Sequence, residues 1–217
     1  MFVEKLDKRF GIVAVENGFI SREQLIDAIQ IQVDDELKGA KHRLVGEILR
    51  EKEYITNTQI DKVLESIVVS DELRVIIVDD EPYTCKVISA IIENFYTWGS
   101  VTRFTDVDKA ISYCLNCDTD IAIFIVDIFL GEKSGFSFLD AIKEKFPSAN
   151  EDAIMITGNA SDEIVDKCVS SDVTCLLEKP VRPYALQLAV RAIVMKYLAF
   201  GKRLLHDPSL ASNVSKL

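Results

Sequence analysis

From residue 73 onward the chain alternates between two patterns. Short, nearly continuous apolar runs, LRVIIVDD, SVTRF, IAIFIVD, AIMITG and VTCLLEKP, are rich in β-branched residues and of strand length. Such runs predict strands buried on both faces. Between them the apolar residues recur at three- and four-residue spacing, as in Pro82 to Tyr96, where Val87, Ile88, Ile91, Ile92 and Phe95 share one face. Asp106 to Cys114, Phe136 to Phe146, Ser161 to Val169 and Tyr184 to Phe200 read as helices in the same way, with Pro183 suited to a first helical turn. Strands alternating one for one with helices imply an α/β fold, a flavodoxin-like, doubly wound, five-stranded parallel sheet with right-handed crossovers.

The first seventy residues carry a helical period and no strand signal. Leu25, Ala28, Ile29 and Gln32 follow one helical face, and Ile60, Val63, Leu64 and Ile67 another. Ser21 and Thr56 stand before these helices as N-caps, with Gln24 and Gln59 three residues later completing capping boxes. GIVAVENGFISREQLIDAI, from Gly11, and GEILREKEYITNTQIDKVL, from Gly46, align without gaps. The repeat predicts a small all-α domain of two similar helical hairpins packed together, because neither could bury its apolar face alone. Val33 to Arg43 is polar and reads as the link between the copies.

These patterns divide the chain into a helical domain over 1–70, an α/β domain over 71–200 and a polar tail over 201–217. Gly201 is placed to stop the last helix. The connection at Ser70 to Leu73 is short, so a change in one domain can alter its packing on the other. A polar tail of this kind reads as too short for a DNA-binding output domain, so none is expected.

Lys plus Arg total 25 against 35 Asp plus Glu, a formal net charge of -10. A chain of that charge repels phosphate backbones, which argues against DNA as a partner. No apolar run reaches the roughly 18 residues that cross a bilayer, and the first residues lack a signal-type apolar segment. A soluble, cytoplasmic protein without membrane insertion is expected. The five cysteines suit reduced thiols. Cys114 and Cys117 form a C-x-x-C pair, but His42 and His206 are remote, so a zinc site lacks ligands.

In a doubly wound sheet the carboxyl ends of the strands converge on one edge, where ligands bind. Asp79 and Asp80 follow the first run, Asp127 the third, Thr157 the fourth and Lys179 the fifth. Singly, each could be a cap or a loop residue. Together they gather three carboxylates, a hydroxyl and an ammonium. The carboxylates would repel one another without a divalent cation, and hard oxygen donors suit Mg2+. Metal, lysine and hydroxyl around a free carboxylate describe phosphoryl transfer, with Asp127 as nucleophile forming an acyl phosphate. A haloacid dehalogenase-type phosphotransferase would need a second aspartate two positions on, where Phe129 stands.

VIIVDDEP, IFIVDIFLGEKSGF, IMITGN and LLEKPV resemble, in order, the signature blocks of two-component response-regulator receiver domains, over about residues 72 to 200. The resemblance implies that Asp127 is the phosphoacceptor, and that Asp80, Asp127 and the Phe129 backbone carbonyl hold magnesium with Asp79 in support. It implies further that Lys179 pairs with the phosphoryl group and Thr157 is the switch hydroxyl. Leu176 occupies a position that is aromatic in many receivers, so the coupled swing of an aromatic ring is not expected from the resemblance. Phe129 and Asn159 stand where they would tune the acyl-phosphate lifetime.

The repeat resembles the amino-terminal domain of type II secretion and type IV pilus motor ATPases, including the MshE type that binds cyclic di-GMP. The first copy keeps Arg9, Gly11, Val15, Gly18, Phe19, Ile20, Leu25, Ile29 and Gln32 of that pattern. In the second copy Glu53 replaces a glycine and Ile67 a glutamine. Arg9 and Gln32 are the candidate nucleotide contacts, since arginine can stack on a guanine or pair with phosphate.

The implied function is a response regulator, not an enzyme beyond its own phosphorylation and dephosphorylation. A sensor histidine kinase or phosphotransfer protein would act on Asp127, and the change would switch protein interactions of the receiver and the helical domain. The target would be a protein, with a secretion or pilus motor as one candidate, and a homodimer is compatible. The alternatives are a cyclic di-GMP-sensing module modulated by phosphorylation, or a phosphorelay intermediate.

Overall fold

A computed structural model describes residues 2–40, 42–68, 73–95, 100–119 and 121–206. The expected connection at Ser70 to Leu73, apart from Leu73 itself, and the tail from residue 207 lie outside the described residues. The chain forms two compact units, Met1–Val69 with Met195–Leu217, and Ser70–Val194.

The second unit contains β1 (Arg74–Val78), α5 (Pro82–Phe95), β2 (Ser100–Phe104), α6 (Val107–Asn116), β3 (Ala122–Asp127), the short β4 (Phe129–Leu130) and β5 (Lys133–Ser134), α7 (Gly135–Ile142), β6 (Ala153–Thr157), α8 (Asp162–Ser170), β7 (Cys175–Glu178) and the start of α9 (Pro183–His206). Helices α1 (Phe2–Glu16), α2 (Arg22–Leu37), α3 (Val45–Glu51) and α4 (Asn57–Val68) precede them.

The five-stranded sheet has the order β2-β1-β3-β6-β7 with every pairing parallel. This is the flavodoxin-like, doubly wound arrangement expected from the alternating pattern. The central strand β3 is buried at every position, as its unbroken apolar run requires. Phe124 makes edge contacts with Phe138 and Phe146 on one side of the sheet. In register, Val78 stands beside Val126, and Asp127 beside Ile156. Asp79, Asp127 and Thr157 therefore leave their strands at one edge. The two-residue pair β4 and β5 forms an antiparallel hairpin that the apolar pattern did not predict, because two-residue strands leave no periodic signal.

The helical unit fulfils the repeat. The Ser21 hydroxyl accepts from the Gln24 backbone N–H while the Gln24 side chain accepts from that of Ser21, and Thr56 and Gln59 repeat the exchange. Both α1 and α3 end in the same turn, in which Phe19 N donates to Ala14 O and Tyr54 N to Leu49 O, each at 2.9 Å. Gly18 takes φ +67° in the first turn and Glu53 takes φ +59° in the second, so the glutamate occupies the left-handed position of the glycine.

Three sequence expectations need correction here. Helix α2 runs on through Leu37, past the start of the expected polar link, and stops where Gly39 at φ +68° closes a turn from Ala40 N to Asp35 O. Helix α9 does not stop at Gly201 but continues to His206. Gly201 and Leu205 are buried, Leu205 within the apolar core of the helical unit, and Arg50 Nη1 donates to the Leu205 carbonyl at 2.7 Å. Packing thus outweighs the modest helix penalty of one glycine. Finally, Ile29 is 43% exposed, whereas its repeat equivalent Leu64 is fully buried.

Candidate functional site

The site begins at the carboxyl end of β1. Asp79 is 1% exposed, and its Oδ1 accepts from Glu81 N at 2.9 Å, which fixes the carboxylate as the chain turns into α5. Its Oδ2 lies 2.8 Å from Lys179 Nζ. Asp80, next in sequence, points to solvent. Burial pushes the Asp79 carboxyl above its ordinary range, against the hydrogen bond and charge of Lys179 that lower it, while the nearby Asp127 charge adds to the rise. Beneath it the Cys85 thiol donates to Asp79 O and is pushed up to about 11 by burial and by the Asp79 charge.

Asp127 closes β3 and is largely buried. Its Oδ1 accepts from Phe129 N at 3.2 Å and its Oδ2 lies 2.5 Å from Lys179 Nζ. Burial works against the Lys179 ammonium, but the hydrogen bonds and charges of Asp127 and Asp79 outweigh it and hold the lysine above its ordinary pKa. Lys179 follows β7 and its peptide bond to Pro180 is cis.

The Asp79, Asp80 and Asp127 carboxylates each offer an oxygen within 4.8 Å of the others. Three hard oxygen donors at that spacing fit Mg2+, which retains waters and takes few protein ligands. Phe129 is 59% exposed, and its backbone is held in the β4–β5 hairpin opposite Ser134. A Cβ on Gly131, in the turn of that hairpin, would stand 4.0 Å from Asp80 Oδ2.

Thr157 is fully buried at the end of β6. Its hydroxyl donates to Asn159 O at 3.1 Å and accepts from Asn159 N at 3.2 Å, while its carbonyl accepts from Lys179 N at 2.8 Å. The expected residues thus meet at one sheet edge, with the Thr157 hydroxyl engaged by its own loop.

Gly135 was not among the expected site residues. A Cβ there would lie 2.4 Å from the Asp127 carbonyl oxygen and 2.9 Å from both Met155 Cε and Val126 Cγ1. The signal available in the sequence was a glycine wedged between the cap Ser134 and the apolar start of α7, a place where only close backbone approach calls for glycine.

In the helical unit the candidates Arg9 and Gln32 sit on α1 and α2, both half-buried. The Gln32 amide nitrogen donates to Asp7 Oδ2 at 2.7 Å and to Arg43 O at 2.6 Å, so both its hydrogens are engaged. Asp7 Oδ1 accepts from Val45 N at 2.6 Å. Burial raises the Asp7 pKa against these hydrogen bonds. This carboxylate, which ties α1 to the start of α3, had no distinguishing mark in the sequence. Cys114 is buried and pushed up to about 12, by burial first and then by Cys117, whose thiol donates to Cys114 O.

The model of the response regulator receiver domain family matches residues 75–191. This chain belongs to that family. Over the receiver it is 27% identical across 127 residues to the two-component response regulator ORR3 of Oryza sativa, covering 58% of this chain and 93% of that protein. It is 30% identical across 124 residues to the heme response regulator HssR of Staphylococcus saprophyticus, covering 56% of this chain and 51% of that protein. Among solved structures, a CheY-like receiver domain from Methanospirillum hungatei matches with a TM-score of 0.50 at 22% identity, over 57% of this chain and 94% of that one. A receiver domain of an HD domain-containing protein from Pseudomonas fluorescens matches with a TM-score of 0.51 at 18% identity, over 59% and 98%. These likenesses carry the fold. No helix among the described residues is long and apolar enough to cross a membrane.

Proposed function

We propose that Asp127 of this receiver accepts a phosphoryl group from a histidine kinase or phosphotransfer protein in the cytoplasm, and that its phosphorylation switches protein interactions of the receiver and of the helical segment over 1–70. The observation that supports this most is the Lys179 ammonium bridging Asp127 and Asp79, with Asp80 in the same oxygen cluster. Asp79, Asp80, Asp127 and the Phe129 carbonyl would hold Mg2+, which neutralises charge on the transferring group.

The protein's own residues do the rest. A carboxylate oxygen of Asp127 attacks phosphorus in line, the new O–P bond forms as the donor's N–P bond breaks, and the donor nitrogen keeps the electron pair. Lys179 leaves Asp127 for a phosphoryl oxygen, and the Thr157 hydroxyl leaves Asn159 O for another. The acyl phosphate later yields to water, so the receiver acts only on its own phosphorylation and dephosphorylation. The downstream target is a protein, for which a secretion or pilus motor is the candidate raised by the repeat in 1–70. Cyclic di-GMP sensing has less support, since the Gln32 amide is already engaged within the helical unit.

Incubation with acetyl phosphate and Mg2+, followed by intact-protein mass measurement, tests the assignment. Asp127→Asn abolishes the phosphoryl increment; undiminished labelling of that variant overturns it.

A further inference from the structure

Helix α2 buries Ala28, with Leu25, Ile31 and Gln32 half-buried beside it. Four large aliphatic side chains turn the other way: Ile26 is 63% exposed, Ile29 43%, Val33 46% and Leu37 81%. At 100° per residue the positions 26, 29, 33 and 37 fall on one stripe that runs from the second turn to the end of the helix, opposite Ala28, with Arg22 in line ahead of it. Single exposed aliphatics are ordinary, but a contiguous stripe of four on one helix marks an interaction face.

The rims of this stripe select its occupant. Glu23 and Asp34 border one side and Glu36 the other, all exposed, while Arg22 is the one cation in the helix and stands at its first position. A second copy of the chain would bring the same acidic rims and a further net charge of -10, and an anionic lipid surface would be repelled likewise. An apolar stripe edged by carboxylates fits an amphipathic helix whose own stripe is edged by lysine or arginine, read at i, i+3 and i+7. We infer that the outer face of α2 is the docking surface for such a basic amphipathic helix of a partner protein. This rests on the reading that the helical segment engages a protein, and gives that reading its surface and its partner chemistry.

The test uses the full chain and a fluorescein-labelled synthetic helix with leucines at i, i+3, i+7 and i+11 and flanking lysines. A twin with glutamates in place of the lysines is the control. Anisotropy titration is expected to show saturable binding, weakened about tenfold or more by Ile29→Gln/Val33→Gln and by the glutamate twin. Leu37→Gln, at the most exposed position, gives a second variant that leaves the helix interior untouched, and far-UV circular dichroism confirms that each keeps its fold. Absent binding, or binding unchanged by these variants, overturns the inference, the latter assigning the attraction to net charge alone. Self-association of the wild type that the variants abolish assigns the face to a second copy. Variant-sensitive binding to anionic vesicles assigns it to lipid. Acetyl phosphate labelling of the same preparations separates the two readings, because loss of labelling condemns the Asp127 assignment and leaves the α2 titration to be judged by itself.

Discussion

Lys179 Nζ stands 2.5 Å from Oδ2 of Asp127, so the proposed phosphoacceptor is already paired with a cation before any phosphoryl group arrives. The same ammonium touches the buried Asp79 at 2.8 Å. Positive charge is therefore preorganised where an acyl phosphate would carry its negative charge, the arrangement that lowers a transfer barrier without reorganisation. Removing it in Lys179→Ala is expected to slow labelling of Asp127 by about tenfold or more, or to abolish the amide shifts that beryllofluoride induces at Thr157. Labelling time courses and heteronuclear spectra check both. Wild-type behaviour in the two together would remove Lys179 from the mechanism.

Asp79 offers a prediction with a sign. Its carboxyl is raised in the folded state, chiefly by burial, so the folded protein holds this proton to higher pH than the unfolded chain does. As pH climbs from the ordinary carboxylate range through the raised value, the unfolded state ionises first and stability falls; above the raised value the penalty is complete. Without Mg2+, Asp79→Asn should raise the Tm at pH 7 by a few degrees, since the amide oxygen can still accept from Glu81 N. The advantage should disappear below the unfolded pKa, where both states are protonated. Added Mg2+ should reverse the order, because only the carboxylate contributes a charged ligand. Thermal melts across pH, with and without the metal, decide it; a pH-independent difference would assign the effect to packing instead.

How far the sequence foretold the molecule follows from which forces leave a periodic trace. Strand β3 was legible because a strand buried on both faces must be apolar throughout, and the aspartates at its end and that of β1 stand out against that background. The caps Ser21 and Thr56 were legible because capping is local chemistry. Ile29 and Leu64 were not distinguishable, since equivalent places in a sequence repeat need not have equivalent neighbours: α4 buries Leu64 while α2 turns Ile29 outward. Gly201 read as a stop because its local preference says so, while the core around Leu205 that overrides it is assembled from distant segments. Asp7 and Gln32 are linked across twenty-five residues, a pairing that leaves no periodic trace.

Gly135 carries a steric prediction. Any Cβ there would collide with the Asp127 carbonyl oxygen at 2.4 Å, and backbone atoms cannot swing aside as a side-chain end can. Gly135→Ala should cost about 1–3 kcal/mol through overpacking, a fall in Tm of roughly 2–10 °C for a chain of this size. It should also reduce labelling of Asp127, whose own backbone must shift. Melting and labelling of one preparation test the two effects; an unchanged Tm would show that α7 has room to retreat.

The repeat supplies an internal control for backbone strain. Gly18 and Glu53 hold the same turn position at φ +67° and +59°, and a Cβ on Gly18 would meet nothing within 4 Å, so conformation separates the two sites more than packing does. A left-handed non-glycine residue costs about 1–2 kcal/mol, and glycine's greater freedom in the unfolded chain returns about 0.4–1 kcal/mol of that. Glu53→Gly should therefore stabilise by about 0.5–1 kcal/mol and raise the Tm by roughly 1–4 °C, and Gly18→Ala should lower it by a similar amount. Opposite signs from two exposed sites, read by calorimetry or denaturant titration, would tie the effect to the left-handed turn that both copies share. A fall in both variants would mean that the Glu53 side chain makes a contact worth more than its strain.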